Sequence, residues 1–551
     1  MLKKCLALLL ALTLTLGVCI LPVSAEAKPG EADPDKPPVI LIDGINASEL
    51  VRDMGTKDEK IVFPFSGDDI VSLLKDNAAA VWDMLDGDFS QESENAVLNA
   101  VYSLMDGFAM NNDGTSKYNV RVNWVFPGQE RPRYEEEEKE PSAGDKLKAW
   151  FSSLFGGAPE ELTEEELLNK MLHDRSTYKF RYDWRLDMFE IAKELRSYIN
   201  YMKKLTGHDT VTLVGFSEGA AVLNTYLSVY GCTGLNSVIW YAGAHNGVEL
   251  VGQLFTGRIR VDAAALTEYV RDNGDSSIAS ELLSGFMRGL KAIGVTGNLL
   301  EITNKIISTL LEHGAFRSIL RNTMGKMPAI WSLIGDQYYE EAKSYVFSEK
   351  GDARTFAKLI KTIDRYHYGV QAKSKTLMAK AKKATGKIGV IAKYGLRVTP
   401  LIVNDRVQTD GLIDVAASSC GAVAAPYGET LGKNYVQKKA DGHNHLSADG
   451  VIDASAALYP ENTWFVKNLM HSTISEYVYG LFDTIADADH QFTVFESPEF
   501  PQFSVYEPIE GKCSPLTENS ATNVLQRLLL RIRVYFRSLI ARFKNAFKTE
   551  N

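Results

Sequence analysis

Cysteine is nearly missing from this chain, at five in 551 residues, and two of those five, Cys5 and Cys19, fall in the first 25 positions. The other three, Cys232, Cys420 and Cys513, allow one disulfide at most and lack thiolate-zinc spacing, so neither cross-links nor a structural zinc frames the fold. Basic charge is also short. With 60 Lys plus Arg against 70 Asp plus Glu, the net charge is −10, which excludes a general nucleic-acid surface. Beyond the N-terminus no stretch reaches the roughly 18 uncharged apolar residues of a membrane span. Low-complexity tracts and long repeats are lacking too. At 45% hydrophobic and 10% aromatic residues, the chain can bury a large core and falls outside the disordered and collagen-like classes.

What is present begins with Lys3 and Lys4, an apolar run over residues 6–21 and small residues at Ser24 and Ala25. That pattern predicts a secretory signal peptide over residues 1–25, hence a secreted or envelope-associated protein. An acidic, Pro-rich linker follows at 26–37. Apolar runs at 39–42, 118–125, 211–214, 237–241, 398–403 and 464–469 read as strands, with helical patterns at 189–204 and 219–230 between them. Strands alternating with helices predict an α/β fold with a mostly parallel sheet.

The organisation expected is a core in two parts, 38–249 and 396–475, interrupted by a strand-poor, helix-patterned cap at 250–395. An acidic excursion at 129–170 lies within the first part, and a C-terminal extension at 476–523 follows the second. Residues 524–548 repeat apolar side chains at three- and four-residue steps, from Leu525 to Phe547, and residues 524–551 hold seven basic residues and one acidic. This is a basic amphipathic helix, suited either to docking on the acidic body or to an anionic membrane or envelope surface.

The most informative segment is Val214-Gly215-Phe216-Ser217-Glu218-Gly219. A strand pattern runs into this G-x-S-x-G and a helix pattern runs out, the context a nucleophile elbow requires. Serine is a weak nucleophile at its own pKa and needs a general base held by a third group. One oxyanion donor is then the Glu218 amide, and the other comes from the first strand-to-helix loop, Asp43-Gly44-Ile45-Asn46, with Ile45 chosen ahead of Asn46.

Chain order in such a site is Ser, then acid, then His. Asp410 in TDGLID leads as the acid, with Asp449 in the near-duplicate DGVID as the alternative; His471, just past the run 464–469, is the base. His443 and His445 invite a metal reading, but one H-x-H on a Gly- and Asp-rich loop is far less specific than a helical pair, so no metal or other cofactor is expected.

The segments PPVILIDGINASEL, YDWR at 182–185, VTLVGFSEGAAVLNTYL, AGAHNGVELVGQLFTG and TDGLIDVAAS together resemble the lecithin:cholesterol acyltransferase-like branch of the α/β-hydrolases, in particular its bacterial secreted lipases and esterases. The resemblance covers residues 37–60, 178–260 and 396–475. It implies an α/β-hydrolase fold with a large helical cap, acyl-ester chemistry through Ser217, His471 and Asp410, and a place near the substrate cleft for Tyr182, Asp183, Trp184 and Arg185. The expected function is that of a secreted lipase, esterase or O-acyltransferase acting on lipid esters; a peptidase or thioesterase would share the triad. An envelope-binding module that keeps the fold without turnover is the alternative.

Overall fold

The computed structural model describes residues 31–65, 91–134, 164–260, 314–398, 402–508 and 510–518, with four isolated positions between 66 and 90. The expected signal peptide, the apolar cap stretch at 282–311 and the basic helix at 524–548 lie outside the described residues.

In chain order the strands are β1 (Val39–Ile42), β2 (Leu50–Arg52), β3 (Lys60–Phe63), β4 (Val120–Val122), β5 (Lys179–Phe180), β6 (Val211–Phe216), β7 (Leu235–Tyr241), β8 (Ile388–Tyr394), β9 (Leu396–Arg397), β10 (Gln408–Thr409), β11 (Val423–Ala424), β12 (Ile452–Asp453), β13 (Thr463–Lys467), β14 (Phe503–Glu507) and β15 (Lys512–Pro515). Eight of them form the main sheet in the order β15-β14-β13-β8-β7-β6-β1-β5. Every pairing in it is parallel except β14 with β15 at one edge.

The centre of the sheet is covered on both faces, which is why β6 and β8 are buried at every position and read as continuous apolar runs. Alternation still sorts the side chains. Leu213 and Val238 pack with Leu195, Ile199 and Leu223 of the helices Met188–Thr206 and Gly219–Tyr230. Val214 and Ile239 face the other way, onto Phe482 and Ile485 of the helix Glu476–Asp487. Met188–Thr206 is bounded as its sequence predicts: Asp187 accepts from the Phe189 amide at its start, and Gly207 adopts a φ of 72° at its end.

Several boundaries are corrected. β8 lies inside the span assigned to the cap, where Lys393 breaks the apolar run IGVIAKY and disguises it; residues 399–401 of the strand expected at 398–403 lie outside the described residues. Residues 118–125 supply only β4, which joins β2 and β3 in a separate antiparallel sheet. The extension at 476–523 belongs to the core: it provides a covering helix and two strands of the main sheet. Part of the acidic excursion is a helix, Glu164–Leu172. The described part of the cap is helical, with Ala315–Asn322, Asp336–Val346, Ala357–Gly369 and Ser374–Thr385 lying between β7 and β8. Among the described residues no helix is long and apolar enough to cross a membrane.

Candidate active site

Ser217 sits where β6 turns into the helix Gly219–Tyr230, with a φ of 56°. A non-glycine residue in the left-handed region costs about 1–2 kcal/mol and persists only when its surroundings impose it. Here the Ser217 amide donates to the Tyr241 carbonyl at 3.2 Å, and its carbonyl accepts from the Ala244 amide at 2.9 Å. Gly219 makes the turn sterically feasible, because a Cβ there would lie 2.2 Å from the Ile42 carbonyl oxygen. Gly44 plays the same part across the site: its Cβ would stand 2.7 Å from Ser217 Cβ and 3.1 Å from Oγ. The loop after β1 therefore lies directly against the serine.

His471 lies just past β13. Its Nε2 is 2.9 Å from Ser217 Oγ, and its Nδ1 is 2.7 Å from Asp410 Oδ2. With Nδ1–H donating to the carboxylate, Nε2 is left to accept the serine proton, a tautomer inferred from the network. All three residues are buried. Asp410 is itself fixed, since its Oδ1 accepts from the amides of Leu412 at 3.1 Å and Ile413 at 2.8 Å. Burial works against its charge, but His471, Lys393 and the Ile413 amide together hold its carboxyl below the usual range. The His471 ring stacks on Phe216 at 5.1 Å.

Asp449 lies in a different network. It accepts from Lys467 Nζ at 2.7 Å, Tyr394 Oη at 3.1 Å and the Ser447 hydroxyl at 2.5 Å, so its partner is a lysine rather than His471. The duplicated D-G-x-I-D motif thus marks two segments, of which one reaches the histidine.

Glu218 follows the serine in sequence and Ile45 follows Gly44, which packs against it; neither amide donates a hydrogen bond among the described residues. Amides left without an acceptor in these two segments are the kind of donor a developing oxyanion requires. The Glu218 side chain is fully buried and accepts from Tyr182 Oη at 3.1 Å. Burial raises its carboxyl well above the ordinary range, a shift opposed by that hydrogen bond and reinforced by Asp183.

Tyr182, Asp183, Trp184 and Arg185, expected near the substrate cleft, form a buried bracing network beside the elbow. All four are buried. Arg185 grips Asp183 with two hydrogen bonds, of 2.9 and 2.6 Å, and donates to the Phe108 carbonyl at 2.6 Å. Trp184 packs edge-on to Phe63 at 5.0 Å. Only Tyr182 touches the elbow, through Glu218. The motif is chemically conspicuous because a buried ion pair needs every donor satisfied, which is a structural demand as much as a catalytic one.

His445 is engaged by Gln502 at 2.8 Å and Asp441 at 2.9 Å, while His443 stacks on Phe495 at 4.2 Å. Among the described residues no group of three His, Cys, Asp or Glu side chains could hold a metal ion. Cys232, Cys420 and Cys513 are all free thiols. Cys420 Sγ lies 3.1 Å from His245 Nε2, but burial lifts the thiol to about 11 and pushes the imidazole down to about 4. Both are therefore neutral, and a thiolate nucleophile is disfavoured there.

No protein-family model matches the chain, and no curated protein matches it. Among solved structures the chain is similar to one described as the crystal structure of a Tle4-Tli4 complex, at 13% identity and a TM-score of 0.19, covering 52% of this chain and 72% of that one. Likeness at that level carries no weight for fold or function. The chain is thus characterised by its own architecture, an α/β fold on a mostly parallel eight-stranded sheet.

Proposed function

We propose that this protein is a secreted serine hydrolase of carboxylic esters, with an α/β-hydrolase fold akin to the lecithin:cholesterol acyltransferase-like branch. One observation carries the reading: an unbroken hydrogen-bonded chain, Asp410 to His471 to Ser217, ends on a serine in left-handed conformation at a strand-to-helix turn.

In the reaction His471 Nε2 takes the Ser217 proton as Oγ attacks the ester carbonyl. The amides of Glu218 and Ile45 hold the resulting oxyanion, and Asp410 stabilises the imidazolium. The tetrahedral species collapses, His471 hands the proton to the departing alkoxide, and an acyl-enzyme remains. Water, or an acceptor alcohol, is then activated by His471 and releases the acyl group.

Lipid esters are the proposed substrate class. The apolar cap sequence at 282–311 and the basic helix sequence at 524–548 support this, the latter as an anchor to an anionic membrane or envelope surface. The test is kcat/KM on a series of p-nitrophenyl esters of increasing acyl length, with and without anionic vesicles. Turnover rising with chain length and further at vesicles is expected. A preference for acetyl esters would remove the lipid assignment, and no turnover of any ester would remove the enzyme.

A further inference from the structure

Lys393 is the penultimate residue of β8, an inner strand of the sheet, and is only 1% exposed. An ammonium is costly to bury unless its donors are satisfied. All three of its N–H groups are: Nζ donates to the carbonyls of Met470 at 3.0 Å, His471 at 2.7 Å and Thr473 at 3.0 Å. Every one of those acceptors belongs to the loop that carries the histidine. The neighbouring strand adds a fourth tie, as Tyr241 Oη of β7 donates to the same Thr473 carbonyl at 2.7 Å.

The ammonium also sits 4.3 Å from the Tyr241 ring and 5.5 Å from that of Phe216, on which the His471 ring stacks. From the other side the His471 amide donates to the Asp410 backbone carbonyl at 2.9 Å. The histidine's main chain is therefore held at its N–H by the acid's own loop and at its C=O by Lys393.

We propose that Lys393 is a positioning residue for the reaction assigned above, clamping the 470–473 loop so that His471 Nε2 stays within reach of Ser217 Oγ. The inference rests on that reading for its consequence, and on the three carbonyl contacts for its geometry. A lysine suits the task because a charged ammonium has three N–H donors, whereas the neutral amine has two and turns a lone pair toward a carbonyl. Burial pushes Lys393 down to about 7, while the Asp410 carboxylate and the Cys513 thiol, the latter on β15, act in the opposite direction. Among the described residues His471 and Tyr241 also lie against it.

The experiment compares wild type with Lys393→Met, which keeps the length and loses the donors. Displacing a catalytic group by about 1 Å can cost about 100-fold, so kcat is expected to fall by about 10–100-fold with KM within about twofold. The alkaline limb of wild-type kcat, where the ammonium loses its third N–H, should be missing from the variant. Wild-type kcat in Lys393→Met, with only the melting temperature lowered, would overturn the proposal. If that variant does not fold, Tyr241→Phe decides: a several-fold loss of kcat is expected, and an unchanged kcat contradicts the clamp. Amide hydrogen exchange over residues 470–475 reads the clamp without any turnover, so its failure is separable from failure of the hydrolase reading. Faster exchange in the variant is expected, and unchanged exchange overturns it.

Discussion

Ser217→Ala and His471→Ala are each expected to lower kcat for ester hydrolysis by on the order of 10⁴- to 10⁶-fold, and the double variant no further. The two side chains act as one unit: Oγ is a nucleophile only while Nε2, 2.9 Å away, can take its proton. Removing either loses the same step, so the losses do not add. Steady-state kinetics with a single ester across the three variants checks this. A double variant slower by the product of the single effects would show that the residues contribute independently and are not joined in one proton transfer.

The second large effect separates two acids that the sequence makes look alike. Asp410→Asn should lower kcat by about 10³- to 10⁴-fold, because an amide in place of the carboxylate favours the wrong imidazole tautomer and leaves the imidazolium without a counter-charge. Asp449→Asn should leave kcat within about threefold while lowering stability by about 3–5 kcal/mol, because it strands a buried Lys467. Lys467 is the partner that Asp449 meets at 2.7 Å. Kinetics paired with urea unfolding of both variants tests the contrast. A large kcat loss in Asp449→Asn with Asp410→Asn spared would reverse the assignment.

Much of this arrangement was legible along the chain because its signals are local. The run into Gly215, Ser217 and Gly219 predicts the elbow, since close packing of strand, turn and helix forces small residues there. Boundaries failed where the fold breaks the pattern. β8 was hidden because a lysine stands near its C-terminal end, and what makes that lysine tolerable is three carbonyls from a loop some 80 residues downstream, a partnership no local window contains. β14 and β15 are short and follow a Pro-rich stretch, and they are strands because β13 offers an edge to β14 and β14 one to β15. The tetrad at 182–185 drew attention as a cluster of charge and aromatic character, yet its Asp183 and Arg185 face each other. Asp410 and Asp449 share one sequence motif. Only the third dimension decides which of them meets the histidine.

The proposed hydrolysis depends above all on Ser217 being a nucleophile activated by His471. The most direct measurement is covalent labelling of the intact, folded protein with a fluorophosphonate, followed by peptide mapping. One phosphonyl adduct is expected, on Ser217, formed in wild type, absent from Ser217→Ala and strongly slowed in His471→Ala. A folded wild-type protein that takes up no label, or carries it on another residue, would contradict it.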